Sequence, residues 1–467
     1  MTRTQRFPDA PSRRRVLQAL AAGTAGALAG CSLFDSEERT PGDREPPAEA
    51  TREPATGAAG RDVPGRLASE YDRAVNVVAA GADNTGSEPV ESVLESELGD
   101  DTLLYFPRGE YRFDGNLETD SVSNLGFVGD RALFRPPQGF AATLLSFGTD
   151  GAVRDLRFEG IDFDVTAERT GARPLHCAVD DGLLVRDVGV TGRQDVDHDG
   201  MRFDVTDENG TGRVENVRLP DGGSTAFPNT GIYVGEESVG ELSFVGCQVA
   251  GWPDNGLYAS PAQGPVQVLG GHYANNGISG VRVSGESLVR NVRVTCNTTR
   301  SGLENMRGIR LREGGNVTVE NATVEMRRVT GSDGAITMAE WLESATVRDT
   351  HLRIDADDVP AINAKRPTDE IAAASGDEPS LSIRNVRTVG GAGGEATISV
   401  AGRNRCRFEN LCVHQRGRGR NGIHLSDSEG NVVARSTVDV TGDPLVLENA
   451  TAQRRRFRTG ASLSRCQ

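Results

Sequence analysis

The chain has 467 residues, with 51 basic and 67 acidic side chains and a formal net charge of −16. That length admits one long domain or several ordinary ones. An acid excess of this size argues against a nucleic-acid partner and is neutral about fold.

The N-terminus reads as an address. Ser12-Arg13-Arg14-Arg15-Val16-Leu17 precedes an Ala/Gly-rich apolar run that ends at Gly30. The run is roughly 15 residues, short of the ~20 that a membrane-spanning helix needs. It has the form of a twin-arginine export signal. Leu28-Ala29-Gly30-Cys31 resembles a lipobox, which implies lipidation of Cys31 and a lipid anchor in the cell membrane. Residues 1–30 hold five arginines and one aspartate, so the exported chain carries about −20 (−16 − 5 + 1).

Residues 32–72 are rich in Pro, Glu, Thr and Ala, lack apolar periodicity, and read as a disordered tether. The division is therefore 1–31 signal with lipobox, 32–72 linker and 73–467 folded domain, expected as a monomer. Lys365 is the single lysine, and such a composition resembles that of extreme halophiles. Cys31 aside, the six cysteines 177, 247, 296, 406, 412 and 466 suit either disulfides or single buried thiols. Cys406 and Cys412 are close enough to pair across a turn. Five N-x-S/T sequons occur, at Asn209, Asn297, Asn316, Asn321 and Asn449.

Residues 75–113 carry a strand, a Gly81-Ala82-Asp83 turn, a helix near 88–98, and a strand closing on Tyr105-Phe106-Pro107-Arg108-Gly109-Glu110-Tyr111. From about residue 150 two patterns alternate every roughly 20 to 36 residues. One is a β run, a turn residue and another β run, as in "VENVRL" at 214 and "VRNVRV" at 289. The other is "NTGIYV", "DNGLYA", "MRGIRL" or "NGIHL". Each unit offers three short strands that bury one face, and like units must stack to close a core. No 3.6-residue period separates the strands, which argues against an α/β domain. The recurring turn residues Asp187, Asn216, Asn291, Asn321, Asp349, Asn385 and Asn410 tolerate left-handed backbone. These features predict an all-β chain, a single right-handed parallel β-helix of about eleven coils with an N-terminal capping helix.

The opening module and the coils resemble the pectate-lyase-like right-handed β-helix family over about residues 74–450. The Thr-Asp-Asp usual before that family's helix is replaced here by Thr85-Gly86-Ser87-Glu88-Pro89. Its members include polysaccharide lyases, glycosidases, epimerases, phage tail fibres and non-catalytic surface proteins, so fold alone selects no function.

The resemblance implies a ligand lying across one stacked strand, which we identify with the G-I-x-V segments. The residue after Gly points in and the next points out. The outward row is then His176, Arg202, Tyr233, Tyr258, Ser279, Arg310, Thr337, Asn363, Ser399 and His424, with neighbours ~4.8 Å apart. In so acidic a chain this row holds no acid. Arginine binds carboxylates with two parallel bonds, and tyrosine offers a ring face and a hydroxyl. The row suits an acidic polysaccharide; the competing reading is cross-strand stacking with no ligand. His176, Tyr233, Trp252, Asn255, Asn276 and Arg307 are the candidate substrate-binding residues. Lys365, two residues after Asn363, is placed on the same face.

Asp195-Val196-Asp197-His198-Asp199-Gly200 leads into this strand beside Arg202. It opens like a calcium loop, with Asp195, Asp197 and Asp199 as ligands. The glutamate at the twelfth position is missing, since Thr206 stands there, and so are the flanking helices. The same letters also suit a catalytic acid cluster with His198 as base, or a solvated acidic loop. Asp180-Asp181 is present, but the G-H-G and R-I-K of polygalacturonase-like hydrolases are not. Elimination from a uronate needs a cation to neutralise the carboxylate and a base for the adjacent proton. Arg202, Arg310, Tyr258 and His198 are the candidate catalytic residues. The expectation is an exported protein that binds an acidic polysaccharide and cleaves it as a lyase, the alternative being a non-catalytic surface protein.

Overall fold

A computed structural model describes residues 63–303, 305–374 and 380–460, all within one compact unit. The export signal, Cys31, most of the tether and Cys466 lie outside the described residues. Within the segment read as tether, Gly65–Ala68 forms one helical turn and Glu70 pairs with Arg157 at 2.8 Å.

The chain winds as a right-handed parallel β-helix, as the strand patterns predict. Thirteen strands stack on the face that carries the G-I-x-V segments, from Leu117–Thr119 to Leu445–Arg455. Two of these coils lie before residue 150, where the strand Val122–Arg135 runs unbroken through left-handed turns at Asn124 (φ 53°) and Arg131 (φ 55°). Their interior is filled by phenylalanines. The rings of Phe106, Phe127 and Phe158 stack at 5.6 and 5.9 Å between successive centroids. Further along, Val, Ile and Leu replace them at buried positions of the three faces, so one continuous core runs along the axis.

All seven turn residues named above have φ between 50° and 59°. Asn321 donates to Asn291 at 2.6 Å, Asn385 to Asp349 at 2.8 Å and Asn410 to Asn385 at 2.9 Å. The ladder is broken where Gly246 and Gly270 take the left-handed turn instead.

The helix Glu91–Glu97 caps the N-terminal end and buries Leu94. Thr85–Pro89 forms a short strand around Asp83, whose carboxylate accepts N–H groups from Thr85, Ser87 and Glu88. Those bonds hold Asp83 down to about 2 and fix the turn without the family's usual residues. Cys177, Cys247, Cys296 and Cys406 are free and buried. Cys412 is disulfide-bonded, but not to Cys406. No helix among the described residues is long and apolar enough to cross a membrane.

Candidate functional site

The strand register builds the outward row coil by coil. His176 pairs with Arg202, Arg202 with Tyr233, Tyr233 with Tyr258, and Arg310 with Thr337. Between Tyr258 and Arg310 stands Arg282, not Ser279. The strand Ser279–Val283 follows the frame Gly280-Val281-Arg282-Val283, which alternates in and out, so Ser279 falls three residues earlier and is buried. The row extends past His176 through Ser146 to Glu118, an acid at its far end.

Its centre is a run of aromatic and guanidinium groups. Arg202 Cζ lies 5.4 Å from the Tyr233 ring centroid. The Tyr233 and Tyr258 rings meet edge to face at 5.1 Å, and Arg282 Cζ lies 3.8 Å from the Tyr258 centroid. Two residues beyond Arg310, Arg312 lies 3.7 Å from the ring of Trp341, which is 38% exposed. Stacking of this kind holds a guanidinium flat while leaving its N–H edge for a ligand.

The two ends of the row differ electrically. Arg202 is satisfied: Nε donates to Asp204 at 2.7 Å and Nη2 to Glu237 at 2.6 Å. Burial pushes the Asp204 carboxyl up, but His176, Arg202 and the Gly235 N–H outweigh it and hold it low. Arg282, by contrast, donates among the described residues only to Ser260 Oγ, at 2.9 Å. Neither Arg310 nor Arg312 has an ion pair or side-chain hydrogen bond among the described residues, and Arg312 Nη1 is buried without a partner. Burial, followed by the repulsion of Arg307, Arg282 and Arg312, pushes Arg310 down to about 10, with Glu340 pulling the other way. Three neighbouring cations without a bound carboxylate among the described residues, in a chain of net charge −16, are the donor set that an anion would need.

Several expected ligand contacts are instead internal supports. Trp252 is 3% exposed and packs beneath Gly200, where an added Cβ would stand 2.8 Å from its ring. Asn276 is 1% exposed; its oxygen accepts the Trp252 N–H and its amide donates to Val249 O. Asn255 is fully buried between Asp254 and Ser279. Arg307, 8% exposed, is bound to Asp333 at 2.6 Å. Lys365 reaches the same carboxylate at 3.1 Å. Burial raises Asp333, but Arg307 and Lys365 overcome it and bring it down to about 2.

The Asp195–Gly200 loop closes on itself. Gln194 Nε2 donates to the carbonyls of Gly171 and His198, each at 2.7 Å. Asp195 accepts the Arg169 N–H at 3.0 Å and Asp199 the Thr230 N–H at 2.8 Å, with Arg173 3.5 Å away. Among the described residues no group of three His, Cys, Asp or Glu is placed to hold a metal ion. Asp195, Asp197 and Asp199 thus do not form the calcium arrangement expected of them; two are committed to backbone and arginine. His198 lies in the loop, off the row, and burial followed by Arg173 holds its imidazole below the usual range.

A separate groove of about 450 Å³ lies away from the row, lined by His351, Arg387, Cys412, Arg435 and Arg458 among others. Its described lining has no Phe, Tyr or Trp ring on which a sugar could stack, and the row has two tyrosines.

No protein-family model matches the chain, and no curated protein does. Several solved structures are similar to it. The A-module of a mannuronan C-5 epimerase from Azotobacter vinelandii is 13% identical with a TM-score of 0.36, over 83% of this chain and 99% of that one. A surface adhesin of Streptococcus pneumoniae is 11% identical with a TM-score of 0.43, over 80% and 91%. The catalytic unit of an α-1,3-glucanase from Streptomyces thermodiastaticus is 12% identical with a TM-score of 0.41, over 84% and 70%. Likenesses this distant say nothing about a substrate.

Proposed function

We propose that this is an exported, lipid-anchored protein that binds an acidic polysaccharide along the Tyr–Arg row and cleaves it by elimination. The observation that carries the reading is the group Arg282, Arg310 and Arg312, unpaired by any described carboxylate and set beside the Tyr233–Tyr258 pair. Uronate carboxylates would occupy the guanidiniums while sugar rings lie on the tyrosines. Neutralising the carboxylate acidifies the proton next to it, which is the first need of elimination. The arginine-led N-terminal run and Cys31 support export and anchoring.

Electrophoresis of the folded protein through gels containing uronate polymers or a neutral glucan tests the binding. Arg310→Ala and Tyr258→Ala should each weaken uronate binding at least ~10-fold, about 1.4 kcal/mol. If neither variant differs from the parent, the ligand surface lies elsewhere. Ultraviolet absorbance of an unsaturated product separates a lyase from a surface protein that only binds.

A further inference from the structure

We infer that Asp254 is the proton-transfer group of this strip, the base that takes the proton next to the uronate carboxylate; the assignment rests on the elimination proposed above. Asp254 is half-buried and immediately precedes the strand Asn255–Ala259, four residues before Tyr258. Its backbone is held from both sides, its N–H donating to Asn229 O and its carbonyl accepting the Ile278 N–H. Among the described residues its carboxylate contacts only neutral groups, Asn255 Nδ2 at 2.7 Å and Thr230 Oγ1 at 3.3 Å.

Asp333 holds the same station in its own coil, four residues before Thr337, and provides the contrast. There Arg307 and Lys365 bind the carboxylate and make it a permanent anion. Around Asp254 the charged groups are Arg282 and Arg310, which favour ionisation, and Asp199, which opposes it. Burial is the largest influence and pushes Asp254 up. The other described carboxyl groups with a resolved shift all move down. A base beside the anion site, with no fixed counter-ion of its own, is what proton abstraction near neutral pH needs.

The step balances without a co-reactant. The Asp254 carboxylate takes the C–H proton, the released pair forms the carbon–carbon double bond, and the glycosidic C–O bond breaks. The departing oxygen takes the proton back from Asp254, which ends as it began. Arg282 and Arg310 hold the charge that builds on the substrate carboxylate.

The test compares parent, Asp254→Asn and Arg310→Ala on a uronate polymer, reading binding, turnover and melting temperature. Asp254→Asn should bind within about threefold of the parent and lose at least ~10²-fold in turnover. It should melt no lower near neutral pH. An aspartate raised on folding contributes fully at low pH, and that contribution is lost as pH rises through its folded value, so the amide removes a cost. Parent-like turnover in Asp254→Asn overturns the assignment. So does lost binding with a lower melting temperature, which would make Asp254 structural. A parent that binds through Arg310 but cleaves no uronate polymer overturns the elimination and Asp254's role while leaving the strip. Parent-like binding by Arg310→Ala overturns the strip itself.

Discussion

Single residues in this protein take their roles from the coil above and the coil below. Gly200 looks like the turn of a calcium loop, yet what requires it is the Gly231 carbonyl of the next coil, which would stand 2.4 Å from an added Cβ, with the Trp252 ring at 2.8 Å. Gly200→Ala should therefore destabilise the fold by about 1–3 kcal/mol through overpacking, read as a lower urea midpoint with or without calcium. Asp333 offers a pH test. It is held at about 2 by Arg307 and Lys365, below the ~3.9 of an unfolded aspartate. Its stabilisation is present above about pH 4 and drains as pH falls toward 2. Asp333→Asn should lower stability near neutral pH and flatten the acid limb of urea melts. Arg202, Tyr233, Tyr258 and Arg310 were legible in the sequence because each follows a Gly and an inward apolar residue. Arg282 was hidden by a second glycine: Gly277-Ile278-Ser279 imitates the pattern, and only the Val281/Val283 alternation favours the later frame. The burial of Trp252 and Asn276 was not legible, because it depends on how loops from adjacent coils nest.

At the scale of the element, each strand is stable only in its stack, and turns and cap keep the stack in register. The turn ladder was readable because left-handed backbone selects Asn and Asp so narrowly. Asn321 sits at φ 50° and donates to Asn291. Asn321→Ala should cost about 1–3 kcal/mol and Asn321→Gly less, since Gly keeps the backbone and loses only the bond. Thermal melts of the two variants distinguish the contributions. The helix Glu91–Glu97 covers the open end of the core with Leu94. Leu94→Ala should cost about 2–5 kcal/mol. The coils before residue 150 do not read as repeats because their turns do not interrupt the strands: Val122–Arg135 carries both Asn124 and Arg131 in left-handed backbone, and arginine is not a residue that marks such a turn.

Over the whole molecule, acid dominates the composition, and the arginines of most ion pairs are spent on it. Arg282, Arg310 and Arg312 depart from that pattern where they meet the tyrosine pair. A strip of this kind reads charge and ring face together, so a ligand with both should bind better than one with rings alone. The direct measurement is calorimetric titration of the folded protein with two oligosaccharides matched in length and linkage, one of uronates and one of the corresponding neutral sugars, at fixed ionic strength. The uronate is expected to bind at least ~10-fold more tightly, and to lose part of that advantage as salt is raised. Equal affinity for the two, or tighter binding of the neutral oligomer, would contradict an anion-binding glycan strip.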